Sequence, residues 1–276
     1  MIFLGAFDNI SFEMSIPKDI LVCVKTYPEY SSKYTETVCA AGILKDTRKM
    51  IRLYPVVYRY LAGSQQFRKY QWITARIEKS AQDNRLESYR IHSESIMLGP
   101  LIGTAHNWKD RKQWILSEDN IFQSLESLNE AQVKKGTSLG IIKPKKIIKF
   151  TISQKARDEI IEAENKKEQI LQQLGLFGKK KDLELVHVRF NLHFVCNDPR
   201  CIKPHKISIL DWEFGELYRK LHNKPEWEKM IKKKVDEMCD STRDTYFFMG
   251  NMRGHPQVFC ILGFFWPPKE SQKSFF

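Results

Sequence analysis

Two cysteines and a histidine lie close together in the segment FVCNDPRCIKPHK. Cys196 and Cys201 are separated by four residues, and His205 follows after three more. Thiolate and imidazole groups are ligands that zinc prefers, and a tight turn can bring three of them to one ion. Because a structural zinc site takes four ligands, the pattern predicts a fourth, and His193 on the preceding strand is our first choice. The other residues that could complete the set are Cys239, His187 and Asp198.

The same turn has two simpler interpretations. Both cysteines could be reduced in a loop that binds no metal, with the histidine exposed to solvent. They could also form a disulfide, but the six cysteines of the chain do not form the dense framework of a small secreted domain. Zinc in a structural role is therefore the cofactor that the sequence predicts, and no small-molecule cofactor is evident.

Two acidic residues follow this turn in the sequence ILDWEF. Asp211 and Glu213 are the candidate catalytic residues for a metal-dependent cleavage of nucleic acid. Apolar residues at helical spacing predict a helix over residues 207–221. Residues two apart on a helix point about 200° apart, so these carboxylates would not converge on one ion. The alternative is that they are first-turn acids that stabilise the N-terminus of the helix.

The chain is strongly basic, with 45 lysine and arginine residues against 33 aspartate and glutamate residues and a net charge of +12. This excess favours an anionic partner, most commonly nucleic acid, although an acidic protein, an anionic membrane surface or plain solubility would also explain it. In the first half, cations alternate with aromatic residues, as in surfaces that stack bases beside bound phosphates. The residues predicted to bind nucleic acid are Arg52, Tyr54, Arg59, Arg76, Arg85, Arg90, Lys145, Lys146, Lys149, Lys179, Lys180 and Lys181.

The elements that must position these residues follow from periodicity. Short apolar or alternating runs over residues 18–104 predict strands of a small barrel or curled sheet, and QWITARIEK shows the alternation most clearly. Residues 108–135 are predicted to be helical. The second half mixes strands with helices, which is an α+β pattern. The sequence therefore predicts an α+β protein with a β-rich module and trailing helix over residues 18–135, and an α+β module carrying the Cys/His turn over residues 136–270.

Several classes of protein lack their signatures in this sequence. There is no Gly-rich phosphate loop followed by Lys-Ser/Thr, no H-E-x-x-H and no H-x-E…P-C-x-x-C pattern. No apolar run approaches the roughly 18 residues of a membrane span. Asp8 and Glu13 interrupt the apolar N-terminus and no basic residue precedes it, so we expect no secretory signal and a cytoplasmic location.

Several sequence blocks occur together along the chain. They are TETVCAAGI, IRLYPV, KYQWI, GTSLGIIKP, the C-x4-C-x3-H turn leading to SILDWEFGELYR, RDTYFFMGN and LGFFWPP. In this set, which spans most of its length, the chain resembles a bacterial family of uncharacterised proteins. The resemblance implies that the second-half blocks belong to one architecture that includes the Cys/His turn, and it implies no activity.

Three functions agree with these observations. The first is nucleic-acid binding, with the Cys/His turn holding the fold together, in a protein that could be a subunit of a larger nucleoprotein or defence-type assembly. The second is a metal-dependent nuclease that uses Asp211 or Glu213. The third is a structural adaptor that docks on an acidic protein. Whether the protein is an enzyme stays open at this point.

Overall fold

The computed structural model describes residues 16–174 and 183–270. Seven strands come first, as the alternating runs predict, and in β5 the buried residues are Ile73, Ala75 and Ile77. The strands are Pro17–Lys25 (β1), Glu29–Ser31 (β2), Thr35–Leu44 (β3), Met50–Val56 (β4), Gln71–Lys79 (β5), Ser88–Ile91 (β6) and Met97–Leu101 (β7).

Five of these strands close into a barrel. Their order is β1-β3-β4-β6-β5, and β5 pairs again with β1 from Pro17↔Arg76 to Val22↔Gln71. Closure leaves no free edge in the ring, while β2 pairs with β3 and β7 pairs with β5 outside it. The barrel core includes Ile20, Val22, Leu53, Phe67 and Ile73. The prediction of an N-terminal barrel in an α+β protein is confirmed.

The segment that leaves the barrel is not one continuous run of helix. It contains Ala105–Ile115 (α1), Ile121–Phe122 (β8) and Leu125–Lys135 (α2), so the prediction of helix throughout residues 108–135 is wrong. The cause is tertiary. Asn120 is buried between the helices, where its side chain accepts a hydrogen bond from Met50 N at 3.2 Å and donates one to Arg48 O at 2.8 Å. These bonds satisfy the barrel's turn before β4 and break the helix.

The second half forms another seven-stranded sheet, in the order β10-β11-β12-β14-β13-β9-β8. Its remaining elements are Leu139–Ile142 (β9), Lys146–Gln154 (β10), Arg157–Leu174 (α3), Val188–Val195 (β11), His205–Ile209 (β12), Trp212–Leu221 (α4), Trp227–Met238 (α5), Tyr246–Met252 (β13) and His255–Phe265 (β14).

The predicted helix over residues 207–221 is thus corrected at its N-terminal end. Ile207 and Ile209 alternate with Lys206 and Ser208 and lie on β12, which pairs with β11; the helix α4 starts only at Trp212. Period-two alternation outweighs the helical spacing here because the preceding turn brings β12 back beside β11.

Helices α2, α4 and α5 cover one face of this sheet. Leu128, Phe214 and Val235 from these helices share a core with Leu192 and Phe194 of β11. The barrel packs on the opposite face of β9, β13 and β14, where Leu21 and Val24 of β1 meet Leu262 and Phe265. The opposite face of β10, β11 and β12, which we call the outer face, therefore carries none of these helices.

Polar contacts fasten the barrel to the second sheet. Arg52 donates a hydrogen bond to Ser138 O at 3.1 Å, Ser138 donates to Glu87 at 2.7 Å, and Arg85 donates to Asn251 O at 2.8 Å. Strand β8 and helix α2 contribute to the second sheet and its core. The division into modules at residues 135 and 136 stays a prediction. None of the described helices is long and apolar enough to cross a membrane.

Candidate metal centre and nucleic-acid interface

Four side chains with metal-binding chemistry meet at one end of the second sheet. Cys196 follows β11, Cys201 lies in the turn, His205 begins β12, and Glu126 comes from the first turn of α2. Their ligand atoms all lie within 4.8 Å of one another. His205 Nε2 is 3.2 Å from Cys201 Sγ and 3.1 Å from a carboxylate oxygen of Glu126. This group, the metal centre below, could hold a metal ion.

The turn and the start of α2 are joined by several hydrogen bonds. Ser124 caps α2 through its own side chain and also donates from Oγ to Asp198 at 2.7 Å. Leu125 N donates to Cys196 Sγ at 3.4 Å, and Cys196 N donates to Cys201 Sγ at 3.2 Å. Backbone donors that point at both sulfurs are typical of turns that present thiolates to a metal, so the local fold preorganises this site.

Burial affects the metal centre in two opposite ways. It raises the pKa of the Cys196 thiol to about 12, so this group must lose its proton before it can bind a metal. The second carboxylate oxygen of Glu126 is buried and has no hydrogen-bond partner in the part of the chain that the structure describes. An uncompensated buried oxygen is costly, and a cation beside it would offset that cost. The residues therefore fit a metal ion with two sulfur, one nitrogen and one oxygen ligand.

The structure brings together three of the four predicted ligands. It does not bring His193 into the metal centre; the ring lies 3.3 Å from Thr151 Oγ1. His193 lies on the strand three residues before Cys196, and residues an odd number apart on a strand face opposite ways. Glu126 stands in its place and belongs to a helix distant in sequence. Among the other residues considered, His187 bonds Glu164 at 3.1 Å, while Asp198 pairs with Arg200 at 2.8 Å.

The predicted binding residues of the barrel have internal partners. Arg52 is 3% exposed and is held by Cys39 Sγ and Ser138 O, and the Tyr54 hydroxyl accepts a hydrogen bond from Thr37. The other four arginines form the ion pairs Arg59–Glu36, Arg76–Glu94, Arg85–Asp83 and Arg90–Glu78. The part of these residues in nucleic-acid binding stays a prediction, but their charge is largely balanced within the molecule.

A different set of cations is unpaired and lies together on the outer face. Lys149 of β10, His193 of β11 and Lys206 of β12 are cross-strand neighbours and form a line that we call the basic row. Three exposed lysines lie at the same end of the strands: Lys145, Lys146 and Lys203. Within residues 16–174 and 183–270, none of the five lysines forms an ion pair with an acid. Lys179, Lys180 and Lys181 lie outside the described residues.

The pKa of His193 reflects the positive charge of the lysines on either side of it in the basic row. Partial burial lowers its pKa, and the charges of Lys149 and Lys206 on either side lower it further. Burial, together with these two cations, therefore keeps the ring neutral at pH 7. A phosphate group placed over the row would relieve this repulsion.

The two acidic candidates lie elsewhere, at the junction of the barrel and α4. Asp211 is the N-cap residue of α4 and accepts a hydrogen bond from Glu213 N at 2.8 Å. Lys69 Nζ lies 3.6 Å from Asp211 Oδ2 and 3.3 Å from Glu213 Oε2. The expectation that these carboxylates diverge is wrong, because Asp211 precedes the helix and does not follow its geometry. A catalytic role for either acid stays a prediction.

Burial shifts the pKa values of the charged groups at this junction. Asp211 is 4% exposed, and burial raises its pKa to about 6 even though Lys69 acts in the opposite direction. Burial also opposes the charged form of Lys69, but the two carboxylates outweigh it and raise its pKa. At pH 7 the three groups form a charged cluster, the Lys69 clamp, which ties the barrel to α4.

Comparison with known proteins places the chain in a family. A family model described as a domain of unknown function (DUF8757) matches residues 121–276, which is more than half of the chain. The chain belongs to the DUF8757 family. A second model, described as a domain of unknown function (DUF8758), matches residues 17–117, which include the barrel strands. The prediction of membership in an uncharacterised family is confirmed, and a bacterial origin stays a prediction.

Other comparisons add little. No curated protein matches this member of the DUF8757 family. A solved structure of a murine DNA-binding protein bound with double-stranded DNA is 9% identical, with a TM-score of 0.28, and the match covers 94% of this chain and 98% of that chain. At that TM-score the similarity carries no argument about fold or function.

Proposed function

We propose that this protein binds nucleic acid through the basic row and its neighbouring lysines, and that the metal centre is a structural zinc site that holds this surface in place. The observation that carries the proposal is the line of Lys149, His193 and Lys206 across three adjacent strands, without an acidic partner among the described residues. Lysines that lie together without counter-charges are the usual means of neutralising phosphates.

The ligands of the metal centre are close in sequence to residues of this surface. Cys196 directly follows the strand that carries His193, Lys203 lies between two of the ligands, and Lys206 follows His205. Fixing the turn therefore fixes the position of two cations and of the His193 ring. Zinc suits the donor set because it accepts thiolate, imidazole and carboxylate in one tetrahedral site. All six cysteines are free thiols, which agrees with the reducing cytoplasm that we propose as the setting.

Binding at two or more salt concentrations tests the nucleic-acid proposal. Each phosphate neutralised on B-DNA contributes about −0.9 to the slope of log K against log salt, so Lys149→Ala with Lys206→Ala should reduce that slope by about 2. The matched control is Lys135→Ala with Lys233→Ala, which removes the same charge from exposed positions on α2 and α5. Equal loss of affinity in both double variants would mean that net charge, not the basic row, causes binding.

Metal analysis of the purified protein tests the zinc proposal. We expect about one equivalent of zinc in the parent protein and clearly less in Cys201→Ser and Glu126→Gln, since each change removes a ligand. His193→Asn is the matched control and should keep its zinc, because this ring lies outside the metal centre. Loss of zinc from His193→Asn with retention in Glu126→Gln would show that the histidine, not the glutamate, is the fourth ligand.

A further inference from the structure

The outer face differs from known single-strand binders in one respect, which concerns aromatic rings. Within β10, β11 and β12 the phenylalanines are Phe150, Phe190 and Phe194, and all three pack into the core beneath the sheet. Proteins that bind single-stranded nucleic acid gain much of their affinity by stacking bases on exposed aromatic rings. Apart from the His193 ring, which bonds Thr151, the outer face of these strands offers no such ring.

Three large aromatic residues of the barrel are used in packing and do not supply the missing stacking surface. The ring centroids of Tyr58 and Trp212 lie 5.3 Å apart, and Lys25 Nζ lies 3.7 Å from the centroid of the same Tyr58 ring. Tyr70 is buried and donates its hydroxyl proton to Phe264 O. Trp72 packs edge-on against Trp114 at 4.8 Å. These rings join parts of the molecule and are not arranged as a row for bases.

The polar side chains of the outer face are also committed to one another. Next to the basic row, Thr151, Asn191 and Ser208 form a second cross-strand line. Ser208 donates to Asn191 at 3.1 Å, and Thr151 bonds the ring of His193 at 3.3 Å. Asn191 is 4% exposed, so its amide cannot reach a base edge. The ammonium groups of the lysines are the charged donors left for a ligand beside the basic row, and they recognise charge and not sequence.

We propose that the outer face binds the sugar–phosphate backbone of double-stranded nucleic acid without reading its sequence; this inference rests on the proposed function. Neighbouring strands lie about 4.8 Å apart, so the basic row spans about 10 Å. A duplex presents about six phosphate charges over that length, against about three on one of its strands. A rigid row with a lysine at each end and no group committed to stacking gains more from the denser and stiffer ligand.

The test measures affinity by fluorescence anisotropy for short duplexes of AT-rich, GC-rich and mixed sequence, and for each of their separated strands, in one buffer. We expect the duplexes to bind within a few-fold of one another and the single strands to bind at least about tenfold more weakly. Lys149→Ala with Lys206→Ala should weaken all duplexes alike, while Lys135→Ala with Lys233→Ala should not.

Two outcomes would overturn this inference and leave the proposed function intact. Single strands that bind as tightly as duplexes would show that bases contribute, and a difference of about 1,000-fold between duplex sequences would show sequence readout. If neither duplexes nor single strands bind at low salt, the proposed function itself fails. The design therefore separates the failure of the two proposals.

Discussion

The Lys69 clamp gives a prediction whose size follows from the structure. Lys69 precedes β5 in the barrel, whereas Asp211 caps a helix of the second sheet, so the ion pair spans the junction between them. Replacing Lys69 with methionine removes the charge and keeps a side chain of similar length. Without Lys69 the pKa of the buried Asp211 carboxyl rises further, so at pH 7 this group takes up a proton or stays as an unpaired charge in a site that excludes water.

The expected cost can be worked out from the separation of the two groups. At 3.6 Å and an effective dielectric constant of about 20, the attraction between Lys69 and Asp211 is about 5 kcal/mol. Breaking a buried pair by removing one partner typically costs about 3–5 kcal/mol. The carboxylate of Glu213 is 55% exposed and adds little. We expect Lys69→Met to reduce the free energy of unfolding by less than this pair energy, about 1–3 kcal/mol at pH 7, because Asp211 can take up a proton once Lys69 is gone.

The pH dependence provides the decisive check. An acid whose pKa is raised by folding contributes stability at low pH that is lost as the pH rises through its folded pKa, here about 6 for Asp211. Below that pH Asp211 is neutral in the parent protein too, so the cost of Lys69→Met should shrink at about pH 5. Urea unfolding at both pH values measures this change in the cost.

Asp211→Asn, which can still cap α4, should rescue much of the loss of stability when combined with Lys69→Met. A cost that is the same at both pH values, or under about 1 kcal/mol, would refute this reasoning.

Three further outcomes follow from the same structure. Gly215→Ala should lower the free energy of unfolding by about 1–3 kcal/mol in urea, because a Cβ at this position would lie 1.9 Å from a ring carbon of Tyr27. The control is Gly103→Ala, which should be nearly neutral because a Cβ there would meet no atom within 4 Å. Duplex affinity should rise as the pH falls from about 7 to about 6, because bound phosphate raises the pKa of His193. His193→Asn should remove this pH dependence, and the same pH dependence in that variant would show that another group titrates. Chelation of the metal, or Cys201→Ser, should reduce duplex affinity along with zinc content, and full affinity without zinc would separate the metal centre from binding.

Sequence reasoning predicted those parts of the molecule that depend on local patterns. Period-two alternation identified the barrel strands, and the spacing of Cys196, Cys201 and His205 identified most of the metal centre, because a short turn keeps these residues together. It missed Glu126, since nothing in a single sequence shows that the start of α2 lies against that turn.

Two other features depended on tertiary structure. The basic row exists only through the register that aligns Lys149, His193 and Lys206, and register across three strands cannot be read from composition. The convergence of Asp211 and Glu213 on Lys69 depends on where α4 begins, and helix boundaries are the weakest part of a prediction from sequence.

Chemical footprinting of lysines tests the central claim most directly. The protein would be acylated with and without a saturating duplex, and the modification of each lysine would be measured by mass spectrometry. We predict protection of Lys145, Lys146, Lys149, Lys203 and Lys206, with Lys135 and Lys233 modified equally in both samples. Protection confined to the barrel or to helices α2 and α5, with these five lysines still reactive, would contradict the account.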